Sequence, residues 1–95
     1  MTIDFHAEVD KRKEALMEDL FGLLRINSER DDSKADEKHP FGPGPVKALE
    51  YFLALAERDG YKTRNIDNYA GDFEFGQGDE VLGIFAHLDV VPAGH

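Results

Sequence analysis

Apolar residues recur at three- and four-residue intervals through the first quarter of the chain, at Val9, Leu16, Leu20, Leu23 and Leu24. That spacing marks one face of a helix, and Met17 and Phe21 widen the stripe. The pattern predicts a first helix within residues 1–26, with its apolar side turned toward a core. Asp4 or Thr2 is placed to cap it, and Glu8 falls in the first turns, where a carboxylate complements the helix dipole. His6 has no partner nearby in sequence and reads as a solvated residue. The period then disappears. Glu29, Arg30, Asp31, Asp32, Lys34, Asp36, Glu37 and Lys38 are nearly all charge, which predicts a polar, solvated and mobile loop over 27–44.

Phe41-Gly42-Pro43-Gly44-Pro45 is a turn that opens a second helix. Pro45 suits a first helical turn, where its missing N–H costs nothing. Val46, Leu49, Leu53 and Ala56 share one side, with Tyr51, Phe52 and Leu55 adding area, so the helix is expected over 45–59. Gly60 stands where a left-handed residue ends a helix.

From there the period shortens. Tyr61 to Asp67 favours extended backbone, Asn68 to Gly71 reads as a turn, and Asp72-Phe73-Glu74-Phe75 alternates with both aromatics on one face. After a second turn at Gly76 to Asp79, the run Val81 to Ala86 suits a strand covered on both faces. Strands are therefore expected within 61–91. The fold class that follows is α/β, two helices packed on a mixed β-sheet.

Composition narrows the partners. The 95 residues allow one small core, with 41% hydrophobic residues and a formal charge of −9. Nucleic acid and anionic membrane both demand a basic surface, so no nucleic acid and no membrane partner is expected. There is no cysteine, which excludes disulfides and thiolate metal sites and fits a reducing cytoplasm. The first residues are polar and charged, unlike a secretory leader.

The chemistry gathers where the last apolar run ends. His87 and Asp89 lie two apart, so on a strand they project from the same face. Pro92 and Gly94 stop the strand just beyond them. Imidazole is a common metal ligand, and a ligating histidine usually gives its other N–H to a carboxylate or carbonyl. By spacing alone the same pair also suits a satisfied core histidine and a turn-capping aspartate. One histidine does not hold a metal by itself. The N–H groups after the Gly-Pro turn would face an anion, but the turn lacks the Gly-Lys-Ser/Thr ending of a Walker loop.

The words Phe85-Ala86-His87-Leu88-Asp89-Val90-Val91-Pro92-Ala93-Gly94 resemble the first metal-site motif of the zinc peptidases that include carboxypeptidase G, aminoacylase and succinyl-diaminopimelate desuccinylase. Two further stretches, His39 to Leu49 and Asn65 to Gly76, are similar to one branch, the dipeptidase V (PepV) or Xaa-His dipeptidase type. The resemblance runs from about Phe5 to Gly94. It implies that the chain is the N-terminal portion of a zinc-peptidase catalytic domain acting on dipeptides. His87 would ligate one of two zinc ions, and Asp89 would be the catalytic residue that orients His87. A water between the metals would attack the peptide carbonyl with a glutamate as general base.

In the resembling enzymes the remaining ligands and that glutamate follow this motif. Asp72, Glu74, Asp79 and Glu80 precede it and are not taken as ligands. The loop histidine His39 is not taken as one either. His95 is either native sequence or the start of an appended tag. The chain is thus expected to be a fragment of a dipeptidase and inactive alone. It is also expected to self-associate through an uncovered sheet edge, since Val81 to Ala86 would be central in the whole enzyme. The competing reading is a small non-catalytic α/β binding or interaction module, in which His87 is structural.

Overall fold

The computed structural model describes residues 2–94; Met1 and His95, and with His95 the question of its origin, lie outside the described residues. Helix α1 spans Phe5–Leu24 and α2 spans Pro43–Arg58. Strands β1, Thr63–Ile66, and β2, Ala70–Phe73, form an antiparallel pair with Thr63 opposite Phe73 and Ile66 opposite Ala70. The molecule is a small α/β unit.

Asp4 caps α1: its carboxylate accepts the Ala7 N–H at 3.1 Å. Behind it, Glu8 takes Lys11 at 3.2 Å and Arg12 at 2.8 Å, an exposed cluster that holds the Glu8 carboxyl below the usual range, chiefly through Arg12. Helix α2 begins two residues earlier than its proline pattern suggests, with Pro43 as the first helical residue. It ends as expected at Gly60, whose φ of +93° is left-handed. The Gly60 N–H donates to Glu57 O and the Tyr61 N–H to Ala56 O, so the last carbonyls of the helix are satisfied.

The core belongs to α2. Val46, Ala48, Leu49, Leu53 and Ala56 are buried, and they are the buried hydrophobic residues of the described chain. Leu49 and Leu53 lie over Gly71 of β2, where an added Cβ would come within 2.9–3.0 Å of their methyl groups. Phe52, Tyr61 and Phe73 extend the contact as an aromatic row, with ring centroids 5.3 and 6.0 Å apart. The two helices meet at one polar seam. Tyr51 donates its hydroxyl to the Asp19 carbonyl at 2.8 Å, close against Gly22, where a side chain would overlap the ring. Arg58 pairs with both carboxylate oxygens of Asp19 at 3.0 Å and also reaches Asp59.

Four expectations are corrected. The stripe on α1 does not enter the core, and no residue of this helix is buried. The face that would cover Phe5, Val9, Leu16, Leu20 and Leu24 is not supplied by the described residues. The run Val81 to Ala86 forms no strand, and Phe85 is 98% exposed. A strand exists only in a ladder, and no described segment lies alongside this one. The sheet is therefore antiparallel rather than mixed. Strand β2 also starts earlier than the alternation suggested and stops at Phe73, leaving Phe75 outside it and exposed.

Candidate functional site

His87 and Asp89 are brought together, though not on a strand. The His87 Nδ1 lies 3.1 Å from the Asp89 carbonyl oxygen and 3.3 Å from Asp89 Oδ1. With its proton on Nδ1, the ring donates to this residue and keeps the Nε2 lone pair free, which is how a ligating imidazole is usually oriented. Both side chains are open to solvent, 85% exposed for His87 and 57% for Asp89. No group of three or more histidine, aspartate or glutamate side chains that could hold a metal ion occurs among the described residues. The donor set is one oriented imidazole. It fits one ligand position and does not fit a complete zinc centre, which takes three or four.

The extended motif segment touches the rest of the molecule at its far end. The Val90 N–H approaches the Ser28 carbonyl at 3.5 Å, and Glu29 lies beside Val90 in an isolated parallel bridge. Ser28 is only 3% exposed, so the root of the polar loop is packed. The residues next to it cross the start of α2: the Asn27 carbonyl lies so close to Gly44 that a Cβ there would overlap it. An open hollow of about 380 Å³ flanks this crossing, lined by both signs of charge, including Arg25, Glu29, Lys34 and Lys47.

Nor is the polar loop an unstructured connection. Asp31 caps a single 3-10 turn at Asp32–Lys34, accepting from the Ser33 N–H and hydroxyl. Those bonds, the side-chain one first, hold the Asp31 carboxyl below the usual range. Asp36 Oδ1 takes the backbone N–H groups of Lys38 and His39 and lies 2.8 Å from His39 Nδ1. The His39 side chain is the main cause of the lowered Asp36 pKa. Asp31 N–H donates to Phe41 O at 2.9 Å and closes the loop on itself.

Sequence reading missed the groups that hold this loop from outside. Asn68 Nδ2 donates to the Lys38 carbonyl at 2.7 Å and Tyr69 meets Phe41 edge-on at 5.5 Å; within the loop itself, the Arg30 guanidinium lies 5.4 Å over the Phe41 ring. The Asn65-Ile66-Asp67-Asn68 spacing was the available signal, since asparagines three apart can bond across a tight turn.

The sequence matches curated proteins over most of its length. It is 51% identical over 87 residues, 92% of this chain, to a protein of Staphylococcus haemolyticus named "Putative dipeptidase". It is 52% identical over the same share to proteins of that name from Staphylococcus aureus strains USA300 and NCTC 8325. The chain spans about a fifth of the length of these relatives, 19% in each case. No protein-family model matches it. Among the described residues, no helix is long and apolar enough to cross a membrane.

Proposed function

We propose that this chain is the N-terminal part of a metal-dependent dipeptidase of the PepV type, acting on dipeptides in the cytoplasm. The observation that carries the reading is the half-identity to proteins named as dipeptidases over 92% of the chain. The free Nε2 of His87, with Nδ1 turned to Asp89, supports it chemically. In this reading His87 is one zinc ligand and Asp89 fixes its tautomer and raises its basicity. Zinc held there by His87 together with ligands from outside this stretch would supply an acidified water and a Lewis acid for the scissile carbonyl. The remaining ligands and the general base come from polypeptide beyond this stretch, so the chain by itself is inactive.

The test is hydrolysis of a dipeptide series by the longer polypeptide with zinc supplied. His87→Ala should lower kcat/KM by about a thousand-fold or more, since an essential ligand is lost, and Asp89→Asn by about 10–100-fold, as for other partners of metal-bound histidines. Activity that survives His87→Ala overturns the assignment. Zinc bound tightly by the 95-residue chain through His87 alone would overturn the incomplete-site reading.

A further inference from the structure

The turn between β1 and β2 carries more chemistry than reversing two strands requires. Asp67 and Asn68 both adopt left-handed backbone, with φ of +52° and +63°. Glycine takes that conformation without steric cost, and asparagine is among the few residues with a side chain that tolerate it. At position 68 the backbone N–H and both ends of the side-chain amide are engaged. The backbone N–H donates to Asn65 Oδ1 at 2.8 Å, and Asn68 Oδ1 accepts from Asn65 Nδ2 at 2.8 Å. That leaves Nδ2, which leaves the turn altogether and donates to the Lys38 carbonyl at 2.7 Å. A carbonyl only accepts, so the orientation of the amide is fixed by its partners.

Lys38 sits at the far side of the polar loop, and the near side leads to the motif. Phe41 against Tyr69 reinforces the same contact, and the Asp31–Phe41 hydrogen bond makes residues 31–41 one closed unit. At the other end, Ser28 O and Glu29 meet Val90, the residue directly after Asp89. One loop thus spans from the hairpin turn to the His87–Asp89 segment.

We infer that residues 29–42 form a fixed wall beside His87 and Asp89, and that Asn68 is the positioning residue that holds this wall. Its bearing on substrate rests on the dipeptidase reading; the anchoring does not. Asn68→Gly keeps the left-handed turn and removes the amide. Asn68→Asp keeps an acceptor for Asn65 and loses the donor to Lys38.

Amide hydrogen exchange of the chain, read residue by residue, tests the anchor. Loss of the Asn68–Lys38 hydrogen bond, common to both variants, should speed exchange at Asp31 and Gly42 about five-fold. The Leu53 amide in α2 should stay unchanged, which shows that the core is intact. In the longer dipeptidase, KM for a dipeptide should rise about five-fold, the same single-bond magnitude, with kcat within about two-fold. A merely destabilised protein would lose active fraction at constant KM. Unchanged exchange at Asp31 and Gly42 overturns the anchor. Faster exchange with an unchanged KM overturns the wall. A longer polypeptide without any dipeptidase activity overturns the functional reading and the wall's role with it, while exchange still decides the anchor.

Discussion

Residues 43–73 and residues 74–94 are comparably apolar, yet the first stretch closes a core and the second faces solvent. Helix α2 satisfies its backbone internally and needs cover on one face only. The hairpin beside it, a few residues later, supplies that cover through Gly71 and the Phe73 and Tyr61 rings. The run Val81 to Ala86 is apolar on both faces and has no internal hydrogen bonds to make. Its requirements, two flanking strands and two covering layers, are all non-local. The metal-ligand candidate thus follows directly on the run that the described residues leave without a partner strand or cover. The packed half, residues 43–73, contains neither His87 nor Asp89.

The contrast should be sharpest in stability. Leu53→Ala removes a buried side chain from the α2 core and should cost roughly 2–4 kcal/mol, read by urea unfolding. Ile84→Ala, of similar chemistry in the exposed run, should change stability by less than about 0.5 kcal/mol in this chain. Equal costs at the two sites would erase the distinction.

Association is the next effect in size. The exposed run, with its unpaired backbone, should join a second copy of the chain edge to edge. Sedimentation should show a mass that rises with concentration, and Phe85→Lys should return the chain to monomer. A wild-type chain monomeric across a wide concentration series would break the comparison, because it would show the run to be covered.

The smallest effect concerns the seam between α1 and α2. Hydrogen bonding to the Arg58 guanidinium holds the Asp19 carboxyl below its ordinary value. A carboxylate depressed on folding stabilises the fold above its unfolded pKa of about 4. That contribution is lost as pH falls through the lower, folded value. The melting temperature should therefore drop between pH 5 and pH 2, and drop less in Asp19→Asn, where Arg58 keeps only Asp59. Because Arg58 is exposed and Asp19 only partly covered, the difference should be modest and should shrink with salt.

What could be read directly from the sequence follows the same division. The Asp4 cap, the α2 face and the Gly60 stop are local signals, and each appears in the structure. The start of β2 was hidden because Asn68 to Gly71 has turn composition throughout. Asp67, Asn68 and Tyr69 complete the reversal, and Ala70 and Gly71 are left to pair with Ile66 and Asn65. The tethered loop was hidden because its charges look solvated one at a time. Its anchors, Asn68 and Tyr69, lie some 30 residues away. His87 and Asp89 stood out as a pair, and their proximity survives without a strand, since a short extended segment is enough to join them. The apolar period of α1 marked the helix correctly but not the surface that covers it, which no pattern within the helix specifies.

Because α2 and the hairpin close their contacts within residues 43–73, the core is built between elements adjacent in sequence, and such cores form fast. During translation this piece is expected to be complete before much of a longer polypeptide has left the ribosome. The run that follows would then emerge from an already folded base as an open template.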